Sequence, residues 1–439
     1  MLSEIDSYGE RVKELGAKVV KYRKYGLSDN PFPPKAVVTD AVPNISETLS
    51  KFCWEIRNNE ILDIHNKLIE PAYGNQQSTN IWLEGDIGVG KSSILIYMWK
   101  ELEAHRSDVV TAYSELGTGF PHVFDRVVTH LGQPFFGELA LKAAGRVVCE
   151  NSKVFFEKKD DPTLKEIEAD KTALKKYLSA SPSKSNEEKK MLNTNQVANV
   201  FTTKLNELGV TTKLRDCVVE MLSDPFEGYN DLFRISGVTK RKALSELFRV
   251  LRYADFRMVY LFIDQLDFMW RNVYKKQQQD RMVSELRQFA NDTLGYVSIA
   301  ATTYPDLTPQ FVSQYPQLIT SLPITRTRIV HVLPLTSDQA KTMTKKYLET
   351  VKTSESVPGL YPFTEQSIEY VCEMKNGSTR DILVDLHDIL DEAVKECVKT
   401  VDIDFVKKFY EVQAKPPPTK KAVKKITKAR PKVKFEDIT

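Results

Sequence analysis

A glycine-rich segment at 85–92, with the sequence GDIGVGKS, constrains the fold of this chain more than any other feature. It follows the short apolar run 80–84 and precedes the segment 93–104, which favours a helix. In a GxxxxGK[ST] spacing, backbone N–H groups and the N-terminus of the new helix point at phosphate oxygens, and the lysine adds a cation. The segment therefore predicts a strand, loop and helix unit that binds the phosphates of a nucleotide.

The predicted ligands of this loop are ATP and Mg²⁺. We expect Lys91 to contact the β- and γ-phosphates and the Ser92 hydroxyl to join the magnesium shell. The residues assigned to nucleotide binding are Gly85, Asp86, Ile87, Gly88, Val89, Gly90, Lys91, Ser92 and Ser93.

A second acidic contact for the metal is expected at the end of the apolar run 259–264, VYLFID, where Asp264 has the form of a Walker B carboxylate. The following residue is Gln265, although hydrolysis normally uses a carboxylate there. Glutamine can orient a water molecule but cannot accept its proton. Two interpretations stay open: slow hydrolysis assisted by Gln265 or by Asp267, or tight ATP binding with almost no turnover.

Five short apolar runs, at 80–84, 109–114, 258–263, 296–301 and 329–333, are typical of buried parallel strands. They predict an α/β fold with a five-stranded parallel sheet flanked by helices. The predicted organisation is an N-terminal helix and linker (1–35), a nucleotide-binding domain (36–334) with a helical insertion at about 120–235, a helical lid (335–412) and a basic disordered tail (413–439). Thr336 and Gln339 are expected to cap the first lid helix.

These features together resemble the AAA+ P-loop ATPases, and within them the initiator-type branch of archaeal origin-recognition and Cdc6-like proteins. The resemblance implies that Thr303, or Thr302 beside it, acts as sensor 1 and responds to the γ-phosphate. It implies that Arg380, within NGSTRDIL (376–383), acts as sensor 2 and reaches from the lid to the same phosphate. The segments 30–32 and 57–61 resemble those that help to enclose the adenine.

Thr325-Arg326-Thr327-Arg328 precedes the fifth predicted strand, close to the position of the arginine finger in AAA+ proteins that assemble. A guanidinium suits this role because it stays charged and binds phosphate in a planar, bidentate way. A surface arginine at the start of a strand is an equally good interpretation of Arg326 and of Arg328.

The net charge of +3 is unevenly distributed, because residues 415–439 hold nine Lys or Arg against two acidic residues. The part at 415–434 mixes cations with Pro, Ala and Val, so we expect it to stay extended and to contact nucleic acid phosphates without reading their sequence. A solubilising end is the competing interpretation.

Composition excludes several other classes of protein. No apolar run approaches the length of a membrane span, and the first residues lack the apolar core of a secretion signal, so a cytoplasmic protein without membrane contact is expected. The five cysteines form no CxxC pair and the six histidines no HExxH, which argues against a disulfide framework or a zinc site of those types.

The functional hypothesis is an ATP-dependent switch or loader in DNA transactions such as replication initiation, recombination or defence. One alternative is a signalling-type scaffold, in which bound ATP controls a protein partner. The other is an oligomeric remodelling ATPase, which requires Arg326 or Arg328 to act on the ATP of a neighbouring copy.

Overall fold

A parallel β-sheet forms the centre of the molecule. The computed structural model describes residues 21–35, 52–75, 77–117, 119–179, 191–266, 275–316, 321–322, 326–353 and 359–414. Within these ranges the strands are β1 Asn80–Glu84, β2 Val109–Glu115, β3 Leu178–Ser179, β4 Leu192–Asn193, β5 Met258–Asp264, β6 Val297–Thr303 and β7 Ile329–His331. The short strands β3 and β4 pair only with each other, and the remaining five form the central sheet. All five predicted strands are present, with bounds within two residues of those expected.

The order of the central sheet is β2-β5-β6-β1-β7, and its pairings are parallel. Parallel strands require crossover connections, and helices supply them here. Because the strands are parallel, their C-terminal ends lie at one edge, which we call the carboxyl edge. It carries Glu84, Glu115, Asp264 and Thr303. The opposite end of the strands is the amino edge.

Helices cover both faces of the sheet. They are α1 Cys53–Ile64, α2 Glu70–Asn75, α3 Lys91–His105, α4 Phe120–Glu150, α5 Ser152–Phe155, α6 Pro162–Ala169, α7 Thr194–Glu207, α8 Lys213–Glu220, α9 Pro225–Phe233, α10 Gly237–Tyr253, α11 Lys276–Asp292, α12 Leu307–Gln314, α13 Ser337–Glu349, α14 Glu365–Met374, α15 Thr379–Lys395 and α16 Ile403–Ala414. Among the described residues, no helix combines the length and the apolar character that crossing a membrane requires.

Strand β5 shows why the sheet is apolar throughout. Tyr260 and Phe262 pack in a core with α1 and α3 on one face, whereas Leu261 and Ile263 pack in a core with α4, α10 and α11 on the other. Successive side chains of a strand point to opposite faces, so a strand covered on both faces is apolar at every position. β5 is accordingly buried along its whole length.

The helices α4 to α10 lie between β2 and β5 in the chain, where the sequence predicts a helical insertion. Its helical part extends beyond residue 235, because α10 ends at Tyr253. Phe136, Phe201 and Phe248 are completely buried in the same apolar core as the second face of the sheet. The insertion is thus packed against the sheet by a shared core.

The lid consists of α13 to α16 and has an apolar core of its own. Its first helix begins with the predicted capping box. The Gln339 backbone N–H donates to Thr336 Oγ1, and the Thr336 backbone N–H donates to Gln339 Oε1 at 3.0 Å. This arrangement satisfies N–H groups that have no partner within the helix.

The segment 21–35 is part of the lid core. Tyr25 donates its hydroxyl to the carbonyl oxygen of Val398 at 2.6 Å. Phe32 is buried, with its ring 5.9 Å from those of Tyr347 and Phe363. The sequence interpretation placed residues 30–32 near the adenine, whereas Phe32 is packed among lid side chains.

Candidate functional site

The phosphate loop connects β1 to α3 at the carboxyl edge, as predicted. Gly88 and Gly90 have φ angles of +82° and +104°, which side chains with a Cβ rarely adopt. A Cβ on Gly85 would lie 2.4 Å from the carbonyl oxygen of Val332. Gly90 is the N-cap of α3, whose first N–H groups have no acceptor within the helix. The loop therefore presents backbone donors to an anion.

The ammonium group of Lys91 lies against the loop itself. Its Nζ donates to the carbonyl oxygens of Gly85, at 2.6 Å, and Asp86, at 2.8 Å. It also lies 4.1 Å from the ring centroid of Tyr304, a cation–π contact. Lys91 is only 7% exposed. The cation is therefore already held where the loop would receive phosphates.

Asp264 lies at the carboxyl edge and is almost completely buried. Its Oδ1 accepts from the Thr302 hydroxyl at 2.7 Å and from the backbone N–H of Gln265 at 2.9 Å. Its Oδ2 accepts from the Tyr113 hydroxyl at 2.9 Å. Hydrogen bonds of this kind fix the orientation of the carboxylate.

Gln265 adopts a left-handed backbone conformation, with φ of +57°. This is uncommon for a residue with a Cβ and is found where the surroundings enforce it. Its N–H donates to Thr302 Oγ1 as well as to Asp264, both at 2.9 Å. Asp267, the second candidate for assisting hydrolysis, lies outside the described residues.

The two threonines at the tip of β6 differ in their contacts. Thr302 hydrogen-bonds Asp264, on the face of the sheet that packs against α3. Strand alternation places the Thr303 side chain on the other face. The Thr303 carbonyl accepts from the Gly85 N–H at 3.4 Å. Of the two threonines considered for sensor 1, Thr302 is thus the one joined to Asp264.

Glu115 was not identified from the sequence and belongs to the same edge. It ends β2 and is the register partner of Asp264 in β5. Side chains of register partners in parallel strands lie on the same face. The sequence shows a carboxylate directly after the run 109–114. The residues around it do not show which strand lies beside β2, so its position next to Asp264 could not be predicted.

The start of α15 lies directly on the phosphate loop. The backbone N–H of Arg380 donates to the Gly88 carbonyl at 3.0 Å, and the Thr379 hydroxyl donates to the Val89 carbonyl at 3.1 Å. A Cβ on Gly88 would lie 2.7 Å from Ser378 Oγ. The predicted sensor 2 segment and the predicted phosphate loop are therefore in contact.

Arg57 joins three parts of the site. Its guanidinium donates to the carbonyl oxygens of Val89, at 2.6 Å, and Leu333, at 2.7 Å, and it pairs with Glu60 at 2.9 Å. Burial lowers the pKa of the guanidinium, and Glu60 opposes that shift. Leu333 lies just before the lid, so Arg57 links the loop to the connection between sheet and lid. The sequence placed Arg57 only in a segment near the adenine.

The donor set fits a magnesium ion that arrives with a nucleotide. Ser92 is the second residue of α3, next to Lys91, and Asp264 supplies an oriented carboxylate. Mg²⁺ is usually bound by one or two carboxylates, with waters and substrate phosphates as its other ligands. Ser92 and Asp264 are the residues that would hold it.

The remaining predicted residues lie at the border of the sheet or outside the described residues. Arg326–Arg328 form a 3₁₀ turn just before the edge strand β7. Arg328 is half-buried. Thr325 and the basic tail at 415–434 are not among the described residues.

No protein-family model and no curated protein matches the sequence. Among solved structures, the ORC1 protein of Aeropyrum pernix in complex with DNA is similar over 81% of this chain, with a TM-score of 0.40 and 14% identity. This chain covers 65% of that protein, slightly less than two thirds. The ORC2 protein of Aeropyrum pernix, solved as ADPNP-ADP complexes, is similar over 88% of this chain and 73% of its own, with a TM-score of 0.41 and 11% identity.

Both neighbours are archaeal ORC proteins, the group that the sequence motifs resemble. The fold class of this protein rests on its own structural elements. Its parallel sheet, its glycine loop between β1 and α3 and its helical C-terminal region are those of the predicted α/β P-loop class with a lid.

Proposed function

We propose that this chain binds Mg-ATP between the phosphate loop and the lid, and that the nucleotide controls the contact between them. The observation that carries the proposal is the pair of hydrogen bonds from Thr379 and Arg380 to Val89 and Gly88. Phosphates bound at the loop share this space with the start of α15. A ligand that interacts differently with two lid positions shifts the balance between them.

The roles of the side chains follow from their positions. Lys91 exchanges the carbonyls of Gly85 and Asp86 for the β- and γ-phosphates. Ser92 and Asp264 hold Mg²⁺, which neutralises phosphate charge when bound. Arg380 brings a cation from the lid, and Thr302 orients Asp264.

We infer that hydrolysis is slow. Attack on the γ-phosphate needs a group that orients water and a group that accepts its proton. Gln265 can do only the first. The carboxylates proposed for the second are Asp267 and, from its register with Asp264, Glu115. Retention of ATP with almost no turnover is the alternative for the same site.

We place this switch in DNA transactions, as a loader or regulator. The support is the motif resemblance to initiator-type ATPases and the basic tail at 415–434. The test is ATP binding and turnover by the purified chain, measured with and without DNA. ATP binding with turnover that changes when DNA is added supports the proposal, whereas no ATP binding refutes it.

A signalling-type scaffold is the second candidate, and Gln265 is the observation that favours it. If no carboxylate takes the proton, ATP stays bound and acts as a structural element that presents a surface to a protein partner. Purified chain that retains ATP for hours without forming ADP, with no response to DNA, would favour this candidate.

A further inference from the structure

A basic pocket lies at the amino edge of the sheet, at the opposite end of the strands from the phosphate loop. Its volume is about 720 Å³. The insertion helices and the approaches to β2, β5 and β6 form its walls. Its charged lining residues are Arg146, Arg249, Arg252, Arg257, Asp108 and Asp255.

Positive charge dominates this pocket, because four guanidinium groups face two carboxylates. Both carboxylates also have a cationic partner. Asp108 pairs with Arg106, outside the pocket, at 2.9 Å, and Asp255 pairs with Arg146, which is one of the four and also pairs with Glu150 at 2.9 Å. The pocket therefore keeps a positive potential that attracts anions.

Neutral groups hold two of the arginines in place. Arg249 donates to the carbonyl oxygen of Gly209 at 3.3 Å. Arg257 donates to the carbonyl oxygen of Tyr73 at 3.0 Å and lies 4.1 Å from the centre of the Tyr73 ring. A carbonyl or a ring orients a guanidinium without cancelling its charge. Such pre-positioned groups lose little conformational entropy when they bind an anion.

Two further cations lie beside the pocket on the insertion helices, and each has an acidic partner: Lys142 pairs with Glu138 at 2.8 Å, and Lys204 pairs with Glu150 at 3.1 Å. Lys142 lies one helical turn before Arg146 on α4, and its Nζ is 5.0 Å from the ring centre of Phe256. Lys204 on α7 lies 5.4 Å from the ring centre of Tyr253. Phe256 and Tyr253 both line the pocket. The four pocket arginines come from α4, α10 and the approach to β5, and cations spread over several elements fit a chain of phosphates better than a single anion.

We propose that this amino-edge pocket binds the phosphate backbone of a nucleic acid strand. The inference rests on the DNA role in the proposed function and gives that role a place in the described part of the chain. Strands of seven residues separate the two edges by about 20 Å, so the pocket and the ATP site are distinct. Phosphate contacts of this kind position a nucleic acid without reading its sequence.

The test uses the full chain and fluorescein-labelled single-stranded and duplex oligonucleotides, with binding followed by anisotropy over a range of salt concentrations. The double variant Arg249→Gln/Arg257→Gln should bind at least about tenfold more weakly, and the log–log salt slope should fall by about two. The matched control is Arg234→Gln/Arg281→Gln, which removes two exposed arginines that pair with Glu227 and Glu285 elsewhere. It should keep both the affinity and the slope.

A second variant distinguishes the loss of a phosphate contact from a folding defect. Arg252 is exposed, so Arg252→Glu should leave the fold intact while reversing one charge of the pocket, and it should also weaken binding. Unchanged affinity in Arg252→Glu and in the double variant would overturn the proposal, as would an absence of oligonucleotide binding by the wild type. Equal competition by polyglutamate and by unlabelled oligonucleotide would also overturn it, because the pocket would then be a general anion site.

Binding of a fluorescent ATP analogue to the same proteins tests the nucleotide switch separately from the amino-edge pocket. ATP binding should be unchanged in every pocket variant. If the wild type fails to bind ATP, the proposed nucleotide switch is refuted, while the anisotropy result still decides the pocket.

Discussion

The backbone N–H of Arg380 donates a 3.0 Å hydrogen bond to the carbonyl oxygen of Gly88. Arg380 is the second residue of lid helix α15, and Gly88 is the middle glycine of the phosphate loop. The neighbouring bond from Thr379 to Val89 and the link from Arg57 to Val89 strengthen the same junction. Loop and lid therefore meet through hydrogen bonds to the backbone carbonyls of the loop, and changes in the loop should alter the docking of the lid.

Gly88→Ala should weaken both lid docking and ATP binding. The residue has φ of +82°, and the added Cβ would lie 2.7 Å from Ser378 Oγ. The left-handed conformation alone costs about 1–2 kcal/mol for a residue with a Cβ. We expect a lower Tm and a clear loss of affinity in a titration with a fluorescent ATP analogue.

Gly295→Ala is the matched control for that variant. Gly295 also has a positive φ, of +95°, but a Cβ there meets nothing within 4 Å. It should lower the Tm through backbone strain while ATP affinity stays at the wild-type value. Equal ATP affinity in the two variants would show that the contact with Ser378 has no influence on the nucleotide.

Lys91→Ala should abolish ATP binding, or reduce it by at least about tenfold, because it removes the cation that contacts the β- and γ-phosphates. Lys100→Ala is the control, since Lys100 lies on the same helix, is exposed and pairs with Glu103 at 3.5 Å. Isothermal titration with Mg-ATP should show wild-type affinity for the control. Normal affinity in Lys91→Ala would refute the site.

Gln265→Glu should raise ATP turnover if the absence of a proton acceptor limits the reaction. The new carboxylate would follow Asp264 directly, at the end of β5. Phosphate release should be measured under single-turnover conditions, so that product release does not mask the chemical step. No gain would indicate that lid closure or assembly is the limiting step.

Glu115→Gln tests the proton acceptor that the structure adds. If Glu115 takes the proton, the variant should bind ATP normally and lose turnover, and Gln265→Glu should restore part of it. The same turnover in Glu115→Gln and wild type would leave Asp267 as the remaining proposed carboxylate.

Asp391 should contribute to lid stability in a pH-dependent way. Burial alone would raise the pKa of its carboxyl group, but hydrogen bonds from Tyr22, Asn30 and Lys21 outweigh burial and hold that pKa below its ordinary value of 3.8. Folding therefore favours the charged form. Its contribution is full above the ordinary pKa and is lost as the pH falls through the lower folded-state pKa.

Asp391→Asn should consequently lower the free energy of unfolding by about 1 kcal/mol at pH 7. The difference in the free energy of unfolding between the variant and wild type should become smaller below about pH 4. Thermal or urea unfolding over pH 7 to 2.5 measures it. Asp388→Asn, an exposed residue on the same helix, should show no such difference. If the free energy of unfolding of Asp391→Asn differs from that of wild type by the same amount at all pH values, the result would argue against the charged contact.

Deletion of residues 415–439 should reduce the salt dependence of any DNA binding, because the segment holds nine cations. The reduction should add to that of the Arg249→Gln/Arg257→Gln variant if tail and pocket contact different phosphates. An unchanged slope after the deletion would show that the tail takes no part.

Much of the fold could be predicted because its signals are local. The apolar run 258–263 indicates a strand buried on both faces, and the structure has β5 at Met258–Asp264. The glycines of the phosphate loop indicate a turn with positive φ angles, which Gly88 and Gly90 have. Thr336 and Gln339 indicate a helix start and form the capping box. Each signal depends on a few consecutive residues.

By itself, the sequence determined which segments form the central sheet, where the phosphate loop turns and which residue types stand at the ends of those strands. Only the tertiary structure decided that Thr302 contacts Asp264, that Glu115 is its register partner and that residues 21–35 complete the lid core. The physical reason is that strand order, register and helix docking depend on cores assembled from distant parts of the chain. Such contacts leave no periodic signal around any one residue.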